Sequence, residues 1–312
     1  VSLARAPSVE AVRARSWTVA GAGGLPLRLY AWNGNDGARP AVLWGHANGF
    51  AAGAYGPLLD ALAESFDVFA VDLRAHGGSA DPGGDYDRAM AADCFALDLV
   101  ATVASIRRES PFRPLHFAGH SVSGLAALRM GAVHGQSPFA SMTLFEPPLA
   151  PTPDQPLHAG AAALGEALAV RALKRRRDLP DPTTFAAGLA ERSAFARWRP
   201  DLLAAFAAAT LTPASDGWRL RCPPEAEAAI YRMTMDASTF AALKHFDRSV
   251  LFVESDPDMD GVAPSWATKA QAAAARQAPR GRLQLIAETS HMMPFERPDA
   301  VLDIVRAQIA HS

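Results

Sequence analysis

The 312-residue sequence predicts an α/β protein: a mostly parallel sheet flanked by helices, with a helical insertion near the middle of the chain. Three observations carry that expectation. Short apolar runs alternate with stretches whose apolar residues recur three and four apart, which is the rhythm of strand and crossover helix. The runs are rich in Val, Leu, Ile and Phe with little polar alternation, as strands covered on both faces are. The rhythm then lapses once, between about Pro147 and Phe246, where strand-like runs give way to helical sequence rich in Ala, Arg and Phe.

In chain order, GAGGLP (21–26) suits a hairpin turn joining the first two strands better than a crossover. RLYAW (28–32), PAVLWG (40–45), DVFAVD (67–72), PLHFAG (114–119) and SMTLFE (141–146) then read as buried strands. YGPLLDALAES (55–65), CFALDLVATVASIRR (94–108) and SGLAALRMGAVHG (123–135) are the helices between them. The prolines of PPLAPTPDQP stop the sixth strand and open the insertion, which is expected to be all-helical. Within it KRRR (174–177) reads as a solvated helix face. SVLFVE (249–254) and RLQLIA (282–287) again read as buried strands, and PDAVLDIVRAQIA (298–310) is the closing helix.

Composition narrows the function classes. Thirty basic residues against 32 acidic ones leave a net charge of −2, with 49% hydrophobic residues. Such a balance lacks the basic footprint that nucleic acid or an anionic membrane surface demands, so neither partner is expected. Cys94 and Cys222 stand far apart with no CxxC or Cys/His cluster, which fits a reducing, cytoplasmic compartment. The first fifteen residues carry scattered Arg and Glu without an apolar core, and no run of about 18 apolar residues occurs, so neither a signal peptide nor a membrane span is read. The glycines of GAGGLP miss the dinucleotide fingerprint because Pro26 stands where a Gly is required. With no HExxH or paired ligand spacing either, no metal and no cofactor are expected.

The strongest chemical signal is PLHFAGHSVSGLAALRM. A buried strand ends at Gly119, Ser121 follows in a tight turn, and a helix begins at once, which is the setting of a nucleophile elbow. Such a turn needs small residues two before and two after the serine, here Gly119 and Ser123. Were Ser123 the nucleophile, the second of these would be Leu125, which is too large. A helix N-cap would explain one serine but not the flanking pattern. A serine hydroxyl needs a base, and the base an orienting acid. His291, in AETSHMMPFERP, follows the last strand where a loop can present it over the sheet edge. SVLFVESDPDMD places Asp256, Asp258 and Asp260 just past a strand end, and Asp256, closest to the strand and stiffened by Pro257, is the expected acid. Should the three prove equivalent, Glu146 at the end of the sixth strand is the next choice.

Four segments together give the sequence a resemblance to the serine hydrolases of the α/β-hydrolase superfamily. GHSVSG (119–124) resembles the elbow, GHANGF (45–50) the His-Gly oxyanion loop, DLRAHGGS (72–79) the D-x-R-G-H-G-x-S loop, and SHMMPFERP (290–298) the catalytic-His loop. RLRCPPEAEAAIY (219–231) is similar to lid segments of lidded esterases. The resemblance implies oxyanion donors at the backbone N–H groups of Val122 and Asn48. Because Ala47 replaces the usual Gly after His46, Ala47 is the competing donor. Asp72, Arg74 and His76 are expected to be structural. The core would then span 1–146 and 247–312, with 147–246 as a helical lid.

The expected activity is hydrolysis of a carboxylic ester through an acyl-enzyme, on a small-molecule substrate. Phe50, Phe145, Trp198 and Met292 are the expected substrate-binding residues, and the preference is for small to medium uncharged esters with apolar groups. Ser-triad lactonases and C–C bond hydrolases keep the same constellation, and a non-hydrolytic ligand receptor on this fold keeps the pocket without turnover.

Overall fold

The computed structural model describes residues 15–32, 39–109, 113–135, 137–256 and 264–312, the last from residue 269 where side chains are concerned. Eight strands make the main sheet. β1 (Arg15–Ala20) and β2 (Pro26–Ala31) form the expected hairpin, paired antiparallel from Ala20 opposite Pro26. β2 also meets β4 (Asp67–Val71) antiparallel, and β4 begins the parallel part. From there the order runs β4, β3 (Ala41–Gly45), β5 (Leu115–His120), β6 (Ser141–Phe145), β10 (Ser249–Ser255) and β11 (Gly281–Ile286), all parallel.

The helices between strands bury one stripe each. α1 (Gly56–Ala63) turns in Leu58, Leu59 and Leu62. After α2 (Tyr86–Ala89), α3 (Ala92–Glu109) buries Phe95, Leu99, Val103 and Ile106 at helical spacing. α4 (Val122–Ala132) is buried along nearly its whole length, as expected of the helix that leaves the elbow beneath the insertion. β3, β4, β5 and β6 are fully buried, which explains their unbroken apolar runs.

The insertion departs from expectation. Besides α5 (His158–Leu173), α6 (Pro182–Ala190), α7 (Pro200–Thr210), α8 (Pro224–Met233) and α9 (Ser238–Ala242), it contains a three-stranded antiparallel sheet. β7 (Asp178–Leu179), β8 (Leu211–Ala214) and β9 (Gly217–Leu220) are ordered β7-β9-β8. Ser215 and Asp216 form a two-residue hairpin loop before Gly217, whose φ of 134° suits a glycine. Pro213 disguises β8 in the sequence, yet β8 is an edge strand, where a missing N–H is tolerated. α7 packs on the turn Ala52–Tyr55 of the core, and α5 on α8. The chain closes with α10 (Pro264–Gln277), α11 (Met293–Glu296) and α12 (Pro298–Ala310). No helix among the described residues is long and apolar enough to cross a membrane.

Candidate active site

Ser121 sits where β5 turns into α4, at φ 58° and ψ −125°. A non-glycine residue holds such a conformation only when its surroundings enforce it, and strain of this kind concentrates at functional sites. Here the Ser121 N–H donates to Phe145 O of β6 at 2.8 Å, and Ser121 O accepts from Gly124 N at 2.9 Å. Its hydroxyl makes no capping bond to α4, which removes the N-cap reading. The need for small neighbours is steric. A Cβ on Gly119 would stand 2.5 Å from the Phe117 ring, and one on Gly45 would stand 2.4 Å from Ser123 Cβ. Ser123 is fully buried and its hydroxyl donates to His120 O at 3.0 Å, so it is a brace of the elbow.

His291 is carried past β11 by Ser290, whose N–H and hydroxyl both donate to Glu296 of α11. Its Nδ1–H donates to Oε2 of Glu146 at 2.7 Å. Asp256 had been expected in that position. Its Oδ2 accepts the Glu288 N–H at 3.0 Å, while its own N–H donates to Thr289 O, so it braces the approach to the His loop. Asp258 and Asp260 lie outside the described residues. The reason Glu146 reaches the imidazole is backbone geometry. Parallel pairing of Phe145 with Val253 brings the ends of β6 and β10 level, and Glu146, at φ 46°, turns left-handed just past β6. Its N–H still donates to Val253 O, and Oε1 accepts both the N–H and the hydroxyl of Ser255.

The carboxylate is buried, which works against its charge. The hydrogen bond and attraction of His291, with the two bonds from Ser255, outweigh burial and hold Glu146 below the usual glutamate range. Neighbouring Glu254 is the opposite case. Burial first, and then the Glu146 charge, push its carboxyl upward. Two carboxyls at adjacent strand ends are thereby driven apart, with the ionised one on His291.

The oxyanion loop is held by its own imidazoles. His46 Nδ1–H donates to Ala47 O at 2.8 Å while its Nε2 accepts from Leu73 N at 2.9 Å. That bond, with Phe50 N donating to the same carbonyl, fixes the Ala47–Asn48 peptide plane and so the direction of the Asn48 N–H. His76 Nε2 accepts the Gly49 N–H at 2.9 Å, and its Nδ1–H donates to Arg74 O. Ala47 N–H is engaged by Tyr55 OH at 3.1 Å. Among the described residues, the N–H groups of Asn48 and Val122 have no acceptor. This distinguishes Asn48 from Ala47. Behind the loop, Asp72 accepts from Ala52 N, Gly78 N and Tyr30 OH, and Arg74 makes a two-armed bond to Asp98.

Of the residues expected to meet substrate, Phe50 and Trp198 share one aromatic cluster with Phe206 and Phe295. Phe50 lies 4.7 Å from Phe206 and Trp198 lies 4.4 Å from Phe295, centroid to centroid. Met292, partly buried, packs at the margin of the same core. The ring of Phe145 is fully buried on Trp44, and its carbonyl is what serves the elbow. KRRR lies past the end of α5 rather than on a helix face, and its solvated reading fails for one member. Arg175 turns inward to pair with Glu227 of α8, and both lie against Gly49 of the oxyanion loop. Asn48 Nδ2 donates to Glu227 O at 3.0 Å, tying insertion to loop. Sequence reasoning missed this contact because its partners are 179 positions apart.

Residues 13–304 match the model of the alpha/beta hydrolase family. The chain belongs to that family. Curated protein sequences give no match. Among solved structures, the hydrolase of E-2-(acetamidomethylene)succinate is similar at TM-score 0.75 and 20% identity, covering 95% of this chain and 99% of that one. The enol-lactonase from Burkholderia xenovorans LB400 is similar at TM-score 0.67 and 18% identity, covering 94% and 100%. A thermophilic esterase from Thermogutta terrifontis, with malate bound, is similar at TM-score 0.66 and 19% identity, covering 96% and 99%. At these identities the likeness is one of fold alone.

Proposed function

We propose that the protein is a serine esterase that works through an acyl-enzyme, with Ser121 as nucleophile, His291 as base and Glu146 as the acid. The observation that carries the reading is the strained Ser121 elbow, present together with a His291 whose Nδ1 proton is committed to a buried, ionised carboxylate. With Nδ1–H fixed, Nε2 of His291 carries the lone pair. It takes the Ser121 proton as Oγ attacks the ester carbonyl and returns it to the leaving alcohol. Water, with His291 again as base, then releases the acid. The Asn48 and Val122 N–H groups stabilise the oxyanion, a donor pair of which each member is worth roughly 10²–10³ in rate. No cofactor enters these steps.

In this reading residues 147–246 form a lid whose aromatic members, with Phe50 and Met292, favour small to medium uncharged esters. Two lid cations already have carboxylate partners in keeping with that preference: Arg197 pairs with Glu296, and Arg199 with Asp201. The test is release of p-nitrophenol from acetate and butyrate esters, together with fluorophosphonate labelling followed by peptide mapping. A burst followed by steady turnover and an adduct on Ser121 is the expected result. A burst without turnover, or no reaction at all, would point to a non-hydrolytic receptor.

A further inference from the structure

His120, the residue before the nucleophile, is fully buried, and both of its ring nitrogens are engaged. Nε2 lies 2.9 Å from the carbonyl oxygen of His291, and Nδ1 lies 2.8 Å from the hydroxyl of Tyr55. A carbonyl can only accept, so Nε2 carries the proton. In a neutral imidazole Nδ1 is then an acceptor, and the Tyr55 O–H must donate to it. That leaves the Tyr55 oxygen to accept, and it does so from Ala47 N–H at 3.1 Å. Every proton in the line Ala47, Tyr55, His120, His291 is therefore assigned by its neighbour. Burial without a carboxylate partner keeps the imidazole neutral, consistent with this assignment. The rings pack as well: His120 lies 4.8 Å from His291, and Tyr55 lies 4.9 Å from Phe295, centroid to centroid.

The two ends of this line are the two parts of the site that must be in register. One is the oxyanion loop, where engagement of the Ala47 N–H leaves Asn48 as the donor. The other is the backbone of the base. We propose that Tyr55 and His120 are positioning residues that lock the oxyanion loop and the His291 loop to each other across the elbow. Neither touches the reacting atoms, and the esterase reading above is what gives the lock its catalytic consequence. Misplacement by about 1 Å can cost on the order of 10² in rate, so the lock acts on kcat and not on ground-state binding.

The test has two parts. In the resting wild-type protein, ¹⁵N-histidine NMR should show His120 protonated at Nε2 and bare at Nδ1 from pH 5 to pH 8, with the Nδ1 signal shifting in Tyr55→Phe. This measurement needs no turnover, so it stands or falls apart from the esterase assignment. In steady-state kinetics, Tyr55→Phe and His120→Ala should each lower kcat by about 10- to 100-fold with KM changed less than about threefold. The double variant should lose no more than the worse single, because members of one line act as a unit. The opposite tautomer, a charged His120, losses that multiply in the double variant, or an effect confined to KM would each overturn the proposal. An inactive wild type with the stated tautomer would overturn the esterase reading alone.

Discussion

Replacing Glu146 by Gln changes one atom's chemistry and leaves volume almost untouched. Oε1 of Glu146 accepts two hydrogen bonds from Ser255, and Oε2 accepts one from His291. A glutamine has one acceptor oxygen, and the Ser255 N–H needs it, since placing the amide NH₂ there would set donor against donor. The NH₂ must then face His291, where it can be satisfied only if Nδ1 becomes the acceptor and Nε2 carries the proton. A protonated Nε2 cannot take the proton from Ser121. By analogy with the loss when the triad acid of a serine protease is made neutral, kcat should fall roughly 10⁴-fold, or about 5.5 kcal/mol of transition-state stabilisation. KM should stay within a few-fold, because Glu146 is 6% exposed and makes its bonds inside the protein. Asp256→Asn serves as the control. The bond that its Oδ2 accepts from the Glu288 N–H survives in an asparagine, so the expected loss is less than about tenfold. Both variants are assayed on a p-nitrophenyl ester, with ¹⁵N NMR of His291 to read its tautomer. A 10³-fold or greater loss in Asp256→Asn with a mild effect in Glu146→Gln would refute the assignment.

Four further outcomes are expected. Ser121→Ala should lower turnover by roughly 10⁴ or more, while Ser123→Ala, which loses one buried bond to His120 O, should cost about 1 kcal/mol of stability by denaturant titration and keep most activity. Arg175→Ala leaves Glu227 buried without its cation and should destabilise the protein by about 2–3 kcal/mol, whereas Arg175→Ala with Glu227→Gln should recover most of the loss; equal stability of the two would remove the pair from the account. His76 is pushed down to about 3 by burial, the nearby His46 and Arg175 adding to it, so the unfolded chain binds a proton that the folded chain refuses between about pH 6.5 and 3. Its contribution to stability is complete above pH 6.5 and declines by up to about 1.4 kcal/mol per unit as pH falls through that window, and His76→Gln should flatten the pH dependence by one proton. In a substrate panel, kcat/KM should favour butyrate, octanoate and benzoate esters over palmitate and over a dicarboxylate half-ester, a preference reversed if a lid cation binds the free carboxylate.

The elements of this molecule that were legible in the sequence are those whose signal is local. The elbow announces itself within six residues because a tight strand-to-helix turn admits only small neighbours, and the Cβ clearances at Gly119 and Gly45 show the same constraint in space. β3, β4, β5, β6 and β10 are readable because burial on both faces demands unbroken apolar runs, whereas β11, read in the same way, is an edge strand with Leu283 and Leu285 exposed. β8 and β9 were missed, although Asp216-Gly217 is a hairpin signal, because four-residue strands with a proline carry little pattern.

What only tertiary structure decided is which distant groups meet. Glu146 and the aspartates after β10 are all acids at the ends of adjacent strands, and composition cannot rank them. Among the described residues, the parallel register of Phe145 with Val253 and the left-handed turn at Glu146 bring that carboxylate to 2.7 Å from His291 Nδ1. In the same way, the engagement of the Ala47 N–H rests on a tyrosine hydroxyl eight residues along the chain, and the inward turn of Arg175 rests on a glutamate in another helix. Pattern reports which faces of the chain avoid water, a property each segment has by itself. Hydrogen bonds between segments require atoms within about 3 Å and so depend on how the whole chain packs.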